Sequence, residues 1–181
     1  MAESLIPKHG GYRDLKSFQN AAIVYDATVA FCDRFIEKRS RTHDQMVQAA
    51  RSGKQNIVEG SQASGTSRKT ELKLVGIARA SLEELLQDFE DFLRQRGLAE
   101  WGKNDPHSRA IRALAHLPDR AYTAYGPYVE EGSPEQAANC LICLVSQTNY
   151  LLDQQLRQLD RRFLEEGGIT ERLHRMRRER R

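Results

Sequence analysis

Apolar positions recur every three or four residues along most of the chain, the period of a helix with one buried face. In LKSFQNAAIVYDATVAFCDRFIEKR, the positions Leu15, Phe18, Ala22, Tyr25, Val29, Cys32 and Phe35 or Ile36 form one stripe. That stripe predicts a helix over about residues 14–39, set off from a flexible start by Gly10-Gly11. The next segment, HDQMVQAARSGKQNIVEGS, puts Met46, Ala49 or Ala50, Gly53 and Ile57 on one face, widened by Val47 and Val58. Thr42 is its expected N-cap and Gln45 holds the reciprocal capping-box position. Gly53 permits close approach of another backbone, and Gly60 is expected to end the helix at a positive backbone angle.

After the turn-rich SQASG, Ser67 is the expected cap of a third helix, with Glu71 in its first turns and Gly97 as its stop. Leu74, Ile77 or Ala78, Ser81 or Leu82, Leu85, Phe89, and Phe92 or Leu93 make its buried stripe, while Gly76, Ala78 and Ala80 allow close packing. Residues 98–132 are less regular. Trp101 precedes a polar KNDP turn, SRAIRALAHL predicts a short helix before Pro118, and three tyrosines near glycine and proline read as a broken helix or packed loop. The last long helix opens on Ser133 as cap, Pro134 at its first position and Glu135 in its first turn. Leu141, Leu144 or Val145, Thr148, Leu151 or Leu152, Leu156 and Leu159 face inward, and Gly167-Gly168 stop it. Four long helices can share one core without a strand. The expected fold is therefore all-α: an antiparallel up-down four-helix bundle over 12–168, carrying an insertion at 98–132, between a flexible 1–11 and a basic tail at 169–181.

Composition changes this picture little. A hydrophobic fraction of 39% and a charged fraction of 29% suit a globular chain. No apolar run approaches the roughly 18 residues of a spanning helix, and the opening MAESLIPKHGGYRDL does not read as a secretory signal, so the expectation is a cytoplasmic protein with no membrane partner. Charge is more informative. From Thr170 the run TERLHRMRRERR holds six arginines and two glutamates, a surplus of four positive charges. Against a total of +3, the rest of the chain is then one charge negative. A basic tail of this kind attracts phosphate, and is equally a solvated end.

Candidate chemistry is sparse. Cys140 and Cys143 form a CxxC, but inside a helix pattern and without a second pair, and Cys32 sits in an apolar pattern; reduced core thiols are the expectation. There is no GxSxG turn, no phosphate loop and no HExxH, and the lone ExxH of Glu171 and His174 lacks the second pair that a carboxylate-bridged metal site requires. No catalytic residue, metal ligand or cofactor is assigned. Asn56 and Glu59 of NIVEG share a helix side, being three residues apart, and are read as a hydrogen-bond network at a helix end or subunit contact. The cations Arg51, Lys54, Arg68 and Lys69 flank the turn after them and can meet phosphate oxygens.

Taken together, Tyr12-Arg13-Asp14-Leu15, Gln45, Arg51, NIVEG and the GIARASLEEL segment resemble a known family. It comprises the small four-helix-bundle proteins associated with intervening sequences in large-subunit ribosomal RNA genes. The resemblance covers residues 12–97 well and the last long helix loosely. In that family a NIVEG-like sequence closes helix two, and an A-x-x-S-x-x-E pattern, here Ala78, Ser81 and Glu84, helps pack helix three. Ser81 and Glu84 thereby join Asn56 and Glu59 in the candidate polar network. The chain is also similar to the accessory proteins of diversity-generating retroelements, whose basic surfaces engage a reverse transcriptase and structured RNA. The resemblance implies a ring-like homo-oligomer, often of five copies. The 98–132 insertion and the arginine-rich end depart from the family's shortest form.

The expected function is a non-enzymatic oligomeric adaptor that contacts structured RNA or a nucleoprotein partner. Its candidate contacts are Arg51, Lys54, Arg68, Lys69, Arg172, Arg175, Arg177, Arg178, Arg180 and Arg181. The alternative is a purely structural protein-interaction module without nucleic-acid binding.

Overall fold

The computed structural model describes residues 9–118 and 120–179. Its helices are α1 (Lys16–Phe35), α2 (Arg41–Ala63), α3 (Arg68–Gln95), α4 (Pro106–Ala113), α5 (Pro134–Glu166) and α6 (Ile169–Glu179), with no strand among the described residues. The core lies among α1, α2, α3 and α5, while the 98–132 segment packs against α5 and α1.

Several ends follow from local chemistry named by the sequence. The Ser67 hydroxyl accepts from the Thr70 amide at 3.2 Å and starts α3. Gly97, at φ +64°, ends it, with Leu98 N–H donating to the Leu93 carbonyl at 3.0 Å and Gly97 N–H to that of Arg94 at 3.2 Å. This pairing satisfies carbonyls that a helix end otherwise leaves open. Ser133 and Gln136 form a full capping box under Pro134 at the start of α5, and Gly167 turns the chain at φ +65° after it.

Other boundaries differ from expectation. The N-cap of α2 is Ser40, whose hydroxyl accepts from the His43 amide at 3.2 Å, and Thr42 lies inside the helix. Gly60 does not stop α2, which runs on to Ala63. It is buried instead, where a Cβ would sit 3.4 Å from Val75. α1 ends at Phe35 rather than near residue 39, because Ile36 turns extended and a short turn up to Ser40 leads into α2. At the other end, Gly10 N–H donates to the Ser61 carbonyl at 3.1 Å, so the chain is already held there.

The largest shift is in the face of α1. Phe18, Ala22, Tyr25 and Val29 are only partly buried, and the fully buried line is Ser17, Asn20, Ala21, Val24, Ala27, Thr28, Phe31 and Cys32. Hydrophobicity alone selects the flank because the true inner line carries polar groups. Ser17 donates to Gln155 on α5 at 2.7 Å, and the Thr28 hydroxyl turns back to the Val24 carbonyl at 2.7 Å. Phe31 then meets Phe89 and Phe92 edge-on, at centroid separations of 5.0 and 4.8 Å, a favoured arrangement for aromatic rings.

α2 and α3 approach through small residues. A Cβ on Gly53 would lie 2.6 Å from the Cγ and Cδ2 of Leu82, which is fully buried. Gly76 plays no such part, since a Cβ there meets nothing within 4 Å. The two glycines therefore respond oppositely to alanine. Gly53→Ala is expected to lose about 1–3 kcal/mol through overpacking, and Gly76→Ala to gain about 0.5–1 kcal/mol of helix stability. Urea unfolding midpoints check both, and a like response at the two positions would remove the close approach from the account.

Candidate functional site

The NIVEG segment lies within α2, not at its end. Asn56 Nδ2 donates to the Ser52 carbonyl at 2.9 Å and to the Ser52 hydroxyl at 3.2 Å. The Ser52 and Ser81 hydroxyls share a hydrogen bond of 2.9 Å across to α3. Next to Gly53, where no side chain intervenes, two serines can span the gap between the helices. Glu59 and Glu84 stand apart from this chain: both are exposed, and neither makes a hydrogen bond or ion pair among the described residues. The polar network expected across Asn56, Glu59, Ser81 and Glu84 thus narrows to Asn56, Ser52 and Ser81.

The candidate cations divide in the same way. Arg68 reaches across to the C-terminal end of α5, donating to the Arg162 carbonyl at 3.1 Å and pairing with Glu166. It fastens α3 to α5. Lys54 lies with its ammonium 4.0 Å from the centroid of the Tyr25 ring on α1, a cation–π contact. Arg51, Lys69, Arg177 and Arg178 are exposed. Arg172 and Arg175 belong to α6, but their side chains lie outside the described residues, as do Arg180 and Arg181 entirely.

A second polar seam was not read from the sequence. Arg79 donates to Glu83 at 2.6 Å along α3 and to Asp153 of α5 at 3.1 Å, and Asn149 of α5 donates to Glu83 at 3.1 Å. The i,i+4 spacing of Arg79 and Glu83 was the available signal. Farther along α3, burial and then mutual repulsion among the carboxylates hold Asp88 and Glu90 above the usual acid range. No group of three or more metal-ligating side chains comes together among the described residues. All three cysteines are free and buried. Burial pushes the Cys32 thiol up to about 12 and raises Cys140 and Cys143 as well, which disfavours the reactive thiolate.

The inserted segment is pinned to α5 by one buried amide. Asn139 accepts from the Trp101 amide at 2.7 Å and donates to the Ala99 carbonyl at 2.8 Å, while Glu135 receives the Trp101 indole N–H at 3.1 Å. At the far end of the segment, Arg34 of α1 donates to the carbonyls of Val129 and Gly132. Tyr125 is fully buried there, as a packed loop requires. Between these anchors α4, the N-terminal part of α1 and the middle of α5 enclose a cleft of about 720 Å³. Such a volume suits a small molecule.

Against protein-family models, curated proteins and solved structures, the chain finds no match. No helix among the described residues is long and apolar enough to cross a membrane.

The geometry separates the two polar residues of NIVEG. Glu59→Ala is expected to leave thermal and urea unfolding within about 0.5 kcal/mol of the parent. Asn56→Ala is expected to cost about 0.5–1.5 kcal/mol through its lost hydrogen bonds. Equal losses would mean that Glu59 has a structural partner after all.

Proposed function

We propose that the protein is a non-enzymatic adaptor: an antiparallel up-down four-helix bundle that assembles with copies of itself and presents a basic surface to structured RNA or a nucleoprotein partner. Opposed chain order in the cross-helix pairs supports the bundle reading. Position 17 meets 155 while position 34 meets 132; 52 meets 81; and 79 meets 153 while 68 meets 162. The motif set of residues 12–97 supports the family resemblance and, through it, the homo-oligomer. Exposed Ile77 on α3 and Leu164 near the end of α5 are apolar positions that a neighbouring copy would cover.

The observation that carries the nucleic-acid reading is α6. The arginine-rich stretch is helical as far as Glu179, its apolar positions Ile169, Leu173 and Met176 fall on one side by their spacing, and Arg177 and Arg178 are exposed. A helix that groups its apolar residues on one side leaves its cations free to follow a phosphate backbone. Arg51 and Lys69 are further exposed cations. Arg68 and Lys54 are engaged within the chain, and this observation favours the second reading, a structural protein-interaction module without RNA.

Fluorescence anisotropy with a labelled RNA hairpin, repeated between 50 and 200 mM salt, separates the two readings. The adaptor reading predicts that Arg177→Ala/Arg178→Ala weakens binding and flattens the salt slope by roughly 0.9 for each phosphate that is no longer neutralised. An absence of RNA binding, with an oligomer retained in light scattering, would leave the interaction module. A monomer at micromolar concentration would remove assembly from both readings.

A further inference from the structure

The cleft beneath α4 does not belong to the surface just described, and its lining has a chemistry of its own. Cations come from separate places in the chain: Lys16 at the start of α1, Lys103 before α4, Arg112 within α4, and Arg120 after it, with His116 beside them. No carboxylate is among the described residues that line it. In a chain whose acids and bases nearly balance, a concave surface that gathers several cations carries a positive field, and concavity strengthens that field.

The rest of the wall is mostly apolar, with Gln19, Ser108 and Ser146 among its polar members. Trp101, Ile142 and Leu151 lie along it, and Leu117 and Tyr150, 46% and 62% exposed, are large apolar side chains that also line it. Two side-chain amides also line it with unmet hydrogen-bonding capacity. Asn20, on the inner line of α1 and only 1% exposed, leaves its carbonyl oxygen without a partner. Gln147 of α5 does the same, its Nε2 being spent on the Arg112 carbonyl at 3.4 Å. Buried polar atoms are nearly always satisfied, and one that is not calls for an explanation. Two of them lining one cleft, from α1 and α5, ask for a hydrogen-bond donor from outside the chain.

We infer that this cleft, between the start of α1, α4 and the middle of α5, binds a small organic anion. The ligand has an aromatic or otherwise apolar body that carries a hydrogen-bond donor, and an acidic group such as a carboxylate or phosphate. The body lies along Trp101, Ile142, Tyr150 and Leu151. Its donor meets the oxygens of Asn20 and Gln147, and its charge lies among Lys16, Lys103, Arg112 and Arg120. A polynucleotide would meet the same cations, but the buried amides and the apolar depth of the cleft are matched to a compact molecule.

Two probes differ in one feature of this chemistry. 8-Anilinonaphthalene-1-sulfonate has fused rings, one N–H and a sulfonate; N-phenyl-1-naphthylamine has the same rings and N–H without the charge. Titration of the full chain, followed by fluorescence, is expected to give saturable binding of the sulfonate at one site per chain, with at least tenfold weaker binding of the neutral probe. Lys16→Ala/Lys103→Ala alters two exposed side chains and is expected to weaken sulfonate binding about tenfold with an unchanged melting temperature. Ser146→Trp, placed on an exposed cleft position of α5, is expected to abolish it. Helical circular dichroism and the melting temperature are recorded for each variant. Equal binding of the two probes, unsaturable binding, or indifference to both variants would overturn the inference. So would displacement of the sulfonate by the RNA hairpin together with loss of hairpin binding in Lys16→Ala/Lys103→Ala, which would make the cleft part of an RNA surface. The RNA reading of α6 is measured independently through Arg177 and Arg178, so either proposal can fail alone.

Discussion

The first third of α5 is a helix buried on every side. Residues 137–145, AANCLICLV, are all buried, which an amphipathic helix packed on one face cannot achieve. α1 and α3 cover part of its circumference, and the remainder has to be covered by something else. That is the role of residues 98–132. The Asn139 amide and Glu135 carboxylate fix the segment's beginning, Arg34 fixes its end, and Ile111, Tyr125 and Val129 are buried in the core between. What interrupts the regular helix pattern in the sequence is thus a lid on the apolar stretch 137–145 of α5.

The position of the cleft follows from where that cover ends. α5 changes near Ser146 from buried all round to half-exposed, and Ile142, Cys143, Gln147 and Tyr150 line the cleft at this transition. α1 contributes the polar stretch of its inner line there, so Asn20 faces neither a fully packed core nor open water. Other polar groups of the inner faces are paired across helices. Ser17 with Gln155, Ser52 with Ser81, and Arg79 with Asp153 each tie two helices together. Such cross-helix bonds fix how one helix sits along another, a specificity that apolar packing alone leaves loose. NIVEG belongs to this scaffolding through Asn56.

The sequence is most legible where local chemistry decides. Ser67, Gly97, Ser133 and Gly167 act at helix ends through backbone amides, carbonyls and positive φ, and those needs are visible in a few adjacent residues. The face of α2 and most of that of α3 are also legible, since their buried residues recur at helical spacing, although Val75 and not Leu74 is the buried residue near the start of α3. The face of α1 is not, because Ser17, Asn20 and Thr28 lie on its inner line and the partners that permit this are far away in sequence. Gly60 illustrates the same limit: a glycine in a helix pattern reads as a stop, yet here it admits Val75 of a neighbouring helix. Arg68 looked like a free cation because its partners in α5 are more than ninety residues away. The all-round burial of α5 did have a signal in the unbroken apolar run around CLICLV, and reading that run as a single stripe missed it.

The claim that 98–132 is an integral cover of α5 is tested most directly by thiol labelling, followed residue by residue by mass spectrometry. Cys140 lies near Tyr122 and Tyr125 of the segment, Cys143 lies beside Ser108 and Arg112 of α4, and Cys32 sits among the four packed helices. If the cover and the core are one cooperative unit, Cys140 and Cys32, both fully buried, label at a common slow rate, whereas Cys143 on the cleft wall serves as the accessible reference. Labelling of Cys140 well ahead of Cys32 would show the segment lifting away from a core that stands without it, and would contradict the account.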